Sequence, residues 1–342
     1  MVERETMKWA KCNRICIPLK TQEGIALLLV LWVLTILTVI VFSFSYMGRT
    51  EALTVLAFKE GVEKKFLAEA GIERGIMEIS YRNANIGQTT ILEGKEVWKA
   101  DGTMYRIQTD NGYFAVGITD ETGKIDINSL TDSSGIILKN LLMNSGVQEE
   151  DANTIVDSTL DWKDKTGGAM NRLHGAGDDY YMSLPNPYKA KHDNFDTVEE
   201  LLLVKGMTYE ILYGDGNKKG LIDFLTVFAK TPQINVSAAP KEVLEAIPGI
   251  TPDIANNIIS LRGDQTQSAN LQQLIASVPP PFNAFVGSTQ SNTFTIDAAG
   301  FKGSENHGYA IRATVTLGAD KKNQYLYYKS PAEVRNDRYS SD

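Results

Sequence analysis

The feature that most constrains the fold is an uncharged, mostly apolar run from Ile25 to Met47. At helical rise its 23 residues span about 34 Å, enough to cross a bilayer core of about 30 Å. A cleaved secretory signal is the alternative, and Ser43 and Ser45 imitate its small-residue cleavage site. Such signals have apolar regions of only about 7 to 15 residues. The run therefore predicts a membrane-spanning helix that stays with the protein.

A polar leader, residues 1–24, precedes this run and differs in charge from the rest of the chain. It carries five Lys or Arg and three Asp or Glu, which leaves 29 basic and 39 acidic residues elsewhere, a net charge of −10. A basic flank stays in the cytoplasm, so the acidic bulk is expected outside. Both cysteines, Cys12 and Cys16, lie in the leader. Two thiolates make an incomplete zinc site, and we interpret them as reduced bystanders.

Beyond the run, apolar residues recur at spacings near three and four between charged ones, which predicts that the helix continues to about Arg82. These residues are Leu53, Leu56, Phe66, Leu67, Ala70, Ile72, Ile76 and Ile79.

Two clusters of strand signals lie far apart in the chain. The first has strands at 104–109, 113–118 and 124–127, with hairpin turns at 110–112 and 121–123. The second has strands at 293–297, 309–317 and 324–329. A stable sheet needs more strands than either cluster offers alone. We therefore predict one antiparallel sheet, interrupted by an inserted helical domain.

The predicted insert repeats a unit of helix, Gly turn and helix, centred on Gly146, Gly206 and Gly249. Each unit is too small to bury its own apolar face, so the three are expected to stack. Each glycine is expected to supply the positive φ that ends a helix.

The third unit, residues 246–255 with Arg262, resembles the helix-hairpin-helix of repair and competence proteins, whose turn amides contact a DNA phosphate. DNA binding draws most of its non-specific affinity from Lys and Arg. From Gly206 through Arg262, Arg262 included, there are only five such residues. We predict packing for this unit, with DNA binding as the alternative.

A basic leader that ends in Gly before an apolar helix resembles the leader of type IV pilins and pseudopilins. The resemblance implies that a prepilin peptidase cleaves after Gly24 and methylates Ile25, and that the helix is retained. Most members carry Glu at the fifth mature position, where this chain has Leu29. In pilins that Glu pairs with the N-terminal amine of the subunit assembled ahead. Leu29 therefore implies a subunit with nothing ahead of it.

Most of the mature chain is similar to the K pseudopilins of type II secretion. The matching motifs are residues 123–128, 161–164, 175–181, 198–207 and 234–240. The resemblance implies an α+β, type IV pilin-like fold, with a long N-terminal helix packed on an antiparallel sheet. Into that sheet a large all-α domain of helix-hairpin-helix-like repeats is inserted. The expected boundaries are a leader at 1–24, the helix at 25–83, the sheet at 84–127 and 291–342, and the insert at 128–290.

The function implied by this resemblance is that of a minor pseudopilin, which caps the pseudopilus tip and helps initiate its assembly for export across the outer membrane. The implied partners are the minor pseudopilins I and J, other pseudopilus subunits, the prepilin peptidase and the inner-membrane secretion platform. The implied location is the bacterial inner membrane, crossed once, with a cytoplasmic N-terminus and a periplasmic bulk.

The family also binds calcium in the region that corresponds to the acidic segment, residues 157–181. Four residues fall on its acidic pattern: Asp161, Asp164, Asp178 and Asp179. Oxygen ligands and turn residues suit a hard cation. Thr166 and Gly177 stand where the family tends to have a carboxylate. A solvated acidic loop without a metal is the alternative.

Enzyme motifs are missing from the sequence. The three histidines are scattered, and no HExxH, GxSxG or phosphate-loop pattern occurs. His174 beside the acidic segment is interpreted as a loop residue, not as a base or ligand. We predict an assembly protein. A minor pilin of a type IV pilus or competence system is one alternative, and a membrane-anchored hydrolase is another.

Overall fold

The computed structural model describes residues 23–84, 97–166, 171–215, 219–262, 268–288, 291–303, 307–318 and 323–332. Cys12, Cys16 and most of the leader lie outside these residues. The chain divides into two compact units, residues 1–60 and 61–342.

The described part of the first unit is the N-terminal part of helix α1, which runs from Glu23 to Ala84. An 18-residue window near its start has a mean hydropathy of 3.1, and none of it is buried. The hydroxyl of Thr38 donates to the carbonyl of Leu34 at 2.7 Å, so this polar group is satisfied within the helix. The predicted apolar helix is confirmed, and its length and composition suffice to cross a membrane.

The second unit is built on a five-stranded antiparallel sheet in the order β1-β2-β7-β8-β9. Its strands are β1 (Asp101–Thr109), β2 (Gly112–Asp120), β7 (Thr293–Phe301), β8 (Tyr309–Leu317) and β9 (Asn323–Ala332). The central pair runs from Tyr113 opposite Phe301 to Asp120 opposite Phe294. The prediction of one sheet from two distant clusters is confirmed.

Residues 61–84 of α1 pack on one face of this sheet. Ala68, Ile72, Ile76 and Ile79 are at most 5% exposed, and their spacing places them along one side of the helix. A Cβ at Gly75 would lie 2.8 Å from Cγ2 of Ile296 on β7, so glycine permits this close approach.

The opposite side of α1 bears an exposed strip. It comprises Phe66, Ala70, Glu73, Met77 and Ser80. Phe66 and Met77 are 62% and 63% exposed. Phe66 and Ala70, two of the residues whose spacing predicts the helix, thus lie on its exposed side, because apolar residues occupy both sides of this helix.

The chain leaves the sheet differently from the prediction. Glu121–Gly123 is a 3₁₀ turn, capped by the carboxylate of Asp120, which accepts from the amide and the hydroxyl of Thr122 at 3.0 and 2.8 Å. Strand β3 (Ile125–Asp126) then pairs in parallel with the residues Leu225–Thr226, far along the chain. The hairpin turn predicted at 121–123 is wrong.

A mostly helical segment fills the chain between β2 and β7. Its helices are α2 (Gly135–Asn144), α3 (Glu149–Trp162), α4 (Asp178–Met182), α5 (Tyr209–Tyr213), α6 (Lys241–Ala246), α7 (Pro252–Leu261) and α8 (Ser268–Ala276). Strand β3 pairs with β4 (Leu225–Thr226), and β5 (Ile234–Asn235) pairs with β6 (Val286–Gly287). These two short parallel ladders correct the expectation of an all-α insert.

This helical segment has its own hydrophobic core, separate from the core between α1 and the sheet. Sheet and helical segment nevertheless belong to one compact unit. A separate inserted domain, with the boundaries given above, stays a prediction.

The three repeat units are visible in the helical segment. Gly146, Gly206 and Gly249 have φ values of +98°, +86° and +93°, as predicted for glycines that end a helix. In the middle unit the first helix is a 3₁₀ helix, Val198–Leu203. The side chain of Asn140 in α2 donates to the carbonyl of Ala246 in α6 at 3.0 Å, which joins the first unit to the third. The units stack on each other.

The second face of the sheet contacts the helical segment through polar groups. Nε of Arg312 donates to Asp297 at 2.6 Å, and the same guanidinium lies 3.9 Å from Asp223. The hydroxyl of Tyr327 on β9 donates to Glu199 at 2.8 Å.

The junction between sheet and helical segment is organised by Asp120, whose side chain is buried. Besides capping Thr122, its carboxylate accepts from the hydroxyl of Ser291 at 2.8 Å and from its amide at 3.2 Å. Because Ser291 precedes β7, one carboxylate binds both the exit from the sheet and the return to it.

Candidate functional site

The predicted processing site lies at the start of α1. Gly24 and Ile25 follow the first helical residue, Glu23, and Leu29 is an exposed residue one turn further on. Cleavage at Gly24 and methylation of Ile25 stay predictions.

Asp161, the first of the four predicted calcium ligands, is held by Arg172. It lies in the last turn of α3 with its side chain 5% exposed. Nη1 of Arg172 donates to Oδ1 of Asp161 at 2.7 Å, and the backbone amide of Arg172 donates to Oδ2 at 3.1 Å. Burial raises the pKa of Asp161, and the hydrogen bonds from Arg172 oppose that rise.

The same guanidinium reaches a second carboxylate. Nε of Arg172 donates to Oδ1 of Asp132, in the turn before α2, at 2.6 Å. This hydrogen bond is the main cause of the lowered pKa of Asp132. Arg172 thus connects the end of α3 to the start of α2.

The other three aspartates are separately placed. Asp164 accepts from the backbone amide of Thr166 at 2.9 Å, which lowers the pKa of Asp164. Asp178 begins α4 and accepts from the amide of Ala190 at 3.0 Å, and Asp179 is exposed. Within the described ranges, no three His, Cys, Asp or Glu residues are grouped so that they could hold a metal ion. The calcium site stays a prediction.

Sequence reasoning missed His192. Its backbone lies in the left-handed region with φ +53°, and its amide donates to the carbonyl of Trp162 at 2.8 Å. Its ring nitrogens lie 3.0 Å from the carbonyl oxygen of Asp164 and 3.1 Å from Oδ1 of Asp178. His192 therefore joins the two ends of the acidic segment.

Lys163 was missed as well. Its Nζ donates to the carbonyls of Ile127, Asn128 and Leu130 at 3.0, 2.8 and 2.6 Å. Burial lowers the pKa of Lys163 to about 8. The signal for Lys163 and Arg172 was present in the sequence, since the acidic segment contains basic residues of its own.

An aromatic cluster fixes the acidic segment to the middle repeat unit. Nε1 of Trp162 donates to Glu200 at 2.8 Å, and its ring meets that of Tyr181 edge-on at 5.1 Å. The backbone amide of His174 donates to Asp157 at 3.0 Å, which makes His174 part of the same loop structure.

The helix-hairpin-helix-like third unit is covered at its turn. A Cβ at Gly249 would lie 2.4 Å from Cδ of Pro279, so the segment after α8 packs on the turn. Nε of Arg262 donates to the carbonyl of Val236 at 2.9 Å, and burial lowers the pKa of Arg262 to about 10. Its turn and its arginine are both used in packing, as predicted.

Comparison with known proteins agrees with the sequence motifs. Residues 123–213 match the family model of type II secretion system protein K, which covers the first two repeat units and the acidic segment. The chain is 25% identical over 252 residues to type II secretion system protein K of Pseudomonas aeruginosa, across 71% of this chain and 73% of that protein. The predicted relationship to the protein K family is confirmed.

The fold also has a counterpart among solved structures. It is similar to a chain in the crystal structure of the GspK-GspI-GspJ complex from the enterotoxigenic Escherichia coli type 2 secretion system. The TM-score is 0.59 over 82% of this chain and 100% of that one, with 13% identical residues. The match confirms the mixed helix and sheet fold.

Proposed function

We propose that this protein is the minor pseudopilin at the tip of a type II secretion pseudopilus, where it helps to initiate assembly for protein export. The observation that carries the proposal is the protein K match at residues 123–213. These residues begin where the chain leaves β2 and lie in the helical segment that separates β2 from β7. An antiparallel pair needs only a short turn there. The family match thus lies within the segment that is added between these two strands.

The tip position agrees with two features of the chain. A carboxylate within the membrane costs roughly 2.5 to 3.5 kcal/mol and is therefore kept only where it has a partner. Leu29 carries no carboxylate, so it cannot form such a pair with a subunit ahead. About 170 residues separate Asp120 from its strand partner Phe294, and this bulk would clash with a subunit stacked above it. A subunit at the tip has no subunit ahead of it, so it needs no such carboxylate and its bulk causes no clash.

The proposed location is the inner membrane, with α1 as the anchor, the N-terminus in the cytoplasm and the bulk in the periplasm. The apolar window of α1 and the net charge of −10 after the leader support this orientation. We place the protein among assembly proteins, not enzymes, because the family is a component of the secretion machinery.

The proposed partners are the minor pseudopilins I and J of the same secretion system, the other pseudopilus subunits, the prepilin peptidase and the secretion platform. The exposed strip of α1 suits helix-to-helix docking, because Phe66 and Met77 lie three turns apart on one side and present apolar surface. We propose that one of the minor pseudopilins binds to this strip.

Copurification tests this assignment. The full chain, coexpressed with its I and J pseudopilins and extracted in detergent, should give a 1:1:1 complex by native mass spectrometry. Phe66→Glu combined with Met77→Glu should abolish the complex. Leu173→Glu, at a side chain 90% exposed elsewhere on the molecule, should leave it intact. Failure of the unaltered chain to bind either pseudopilin would contradict the proposal.

Processing is tested separately. N-terminal mass spectrometry of the membrane-extracted protein should find N-methylated Ile25, and Gly24→Val should leave the full-length precursor. A mature N-terminus near Tyr46 would instead indicate a cleaved secretory signal.

The position along the pseudopilus requires imaging. Gold label on this subunit should appear at one end of each pseudopilus. Regular label along the shaft would overturn the tip position.

A type IV or competence pilin that binds DNA is not favoured, because the third repeat unit has its turn covered by Pro279 and its arginine bound to a backbone carbonyl.

A further inference from the structure

The acidic segment does not fit a calcium ion in the form that the resemblance implies. Calcium takes 6 to 8 oxygen ligands, and its affinity rises with the number of carboxylates among them. Of the four predicted ligands, Asp161 is the buried one. Both of its oxygens already accept hydrogen bonds from Arg172. A guanidinium 2.7 Å from this carboxylate occupies the side from which a cation would approach.

The backbone beside Asp161 closes the site further. A Cβ at Gly175 would lie 1.8 Å from Oδ2 of Asp161, so the chain packs directly against the carboxylate. At Gly177, where the family tends to have a carboxylate, a Cβ would lie 2.5 Å from the side-chain oxygen of Asn171. No acidic side chain fits at that position unless Asn171 moves.

The second end of the segment is likewise held by protein groups. Asp178 accepts from the amide of Ala190 at 3.0 Å and lies 3.1 Å from Nε2 of His192. The other ring nitrogen of His192 lies 3.0 Å from the carbonyl oxygen of Asp164. The carboxylate of Asp178 and the carbonyl of Asp164 are thus joined by one imidazole.

We propose that Arg172 and His192 replace the divalent cation in this protein, so that the acidic segment is ordered by internal contacts and does not require calcium. Arg172 connects three places through one side chain and its own amide: the end of α3, the turn before α2 and the loop after residue 170. A guanidinium suits this role, because its planar fork is always charged and presents several donors in fixed directions. Order in the segment then does not vary with the calcium concentration.

Hydrogen exchange of the full chain in detergent tests the proposal. Exchange is followed by mass spectrometry in peptides covering 157–166 and 171–182, in about 1 mM calcium and in chelator. The two conditions should give the same protection, within about twofold. Calcium-dependent protection of these peptides in the unaltered protein would overturn the proposal.

Two variants separate the role of Arg172 from a general effect of charge. Arg172→Gln should speed exchange in these peptides about tenfold in both buffers, which corresponds to about 1.4 kcal/mol. Lys165→Gln is the matched control, because Lys165 lies in the same segment and pairs with Asp193 where both side chains are over 60% exposed. It should exchange like the unaltered protein.

Peptides from β7, residues 293–301, report whether each variant is folded. They should stay protected in Arg172→Gln. If that variant retains full protection of the acidic segment in both buffers, Arg172 does not replace the cation.

Discussion

The two faces of the sheet are packed differently: the face toward α1 is apolar, whereas the other face combines polar contacts with a small apolar cluster of Ala115, Ala299, Phe301 and Ala310. Toward α1 the strands present Val116, Ile296 and Ile311, all fully buried apolar side chains. Toward the helical segment they present polar groups, among them Arg312 with its carboxylates and Tyr327 with Glu199. Alternate residues of the same strands provide both surfaces.

This difference separates stability from placement. Burial of apolar surface stabilises by roughly 25 cal/mol per Å² and has little directional preference. A hydrogen bond adds only about 0.5 to 1.5 kcal/mol net, but it requires a defined geometry. Of the two faces, the one toward α1 should therefore contribute more to the free energy of folding. The polar face and the Asp120 junction fix where the helical segment lies.

The largest effect is expected on the helix face. Ile296→Ala should lower the free energy of unfolding by about 3 to 4 kcal/mol, because it opens a cavity beneath Gly75 of α1. Urea unfolding of the purified chain in detergent measures the loss. Phe66→Ala, on the exposed side of the same helix, should cost less than about 0.5 kcal/mol. Equal losses for the two variants would contradict the assignment of the faces.

The junction should come second. Asp120→Ala should cost about 2 to 3 kcal/mol, because it leaves the amides of Thr122 and Ser291 without their buried acceptor. The same unfolding measurement applies, with Asp110→Ala in the exposed β1–β2 turn as the control. A loss at Asp120 no larger than at Asp110 would show that the junction adds no stability.

The ion pairs of the polar face should follow. Arg312→Met should cost about 2 kcal/mol, since it removes the cation from Asp297 and Asp223, whose side chains are 13% and 7% exposed. A double-mutant cycle with Asp297→Asn should show coupling of about 1 kcal/mol, so that the two losses do not add. Strictly additive losses would mean that Arg312 and Asp297 contribute to stability independently of each other.

The smallest effect is expected at the β9 contact. Tyr327→Phe should cost about 1 kcal/mol at neutral pH through loss of the hydrogen bond to Glu199. Burial, together with Glu199, raises the pKa of Tyr327. The folded chain therefore keeps a proton that the unfolded chain loses, and stability should fall as the pH rises above about 10.

Unfolding midpoints between pH 9 and 11 measure that slope. It should be shallower in Tyr327→Phe than in the unaltered chain, whereas Tyr328→Phe, at a side chain 49% exposed, should keep the original slope. A steeper slope in Tyr327→Phe would show that Tyr327 does not cause the fall in stability at high pH.

Local signals in the sequence predicted much of the fold. Helix α1, the hairpin at 110–112 and the Gly turns each rest on periodicity or on a turn residue within a few positions. The single sheet followed from counting strands. Its prediction did not require knowing that Asp120 lies opposite Phe294.

The errors arose where the structure depends on contacts between residues that are far apart in the chain. The Thr-Gly sequence after β2 is typical of a hairpin, but β3 pairs with Leu225, 100 positions further along the chain. Phe66 and Ala70 continue the apolar spacing of α1 and yet face outward. Spacings of three and four do not distinguish two apolar sides of one helix.

For the acidic segment, the sequence analysis named individual residues but not their contacts. Asp161 and Asp178 were chosen for their charge, and the structure pairs them with Arg172 and His192. The partners lie 11 and 14 positions further along the chain, respectively. No local pattern predicts which way such a loop folds back.

The adjacency of β2 and β7 has a consequence for how the chain reaches its folded state. Closing a loop of about 170 residues, instead of a four-residue hairpin, adds about 3 kcal/mol of lost chain entropy. If the helical segment folds first, its own contacts bring Asp120 and Ser291 together and remove most of that cost. The segment would then act as a folding nucleus for the sheet, and α1 would find its apolar docking face only after residues far downstream had been synthesised.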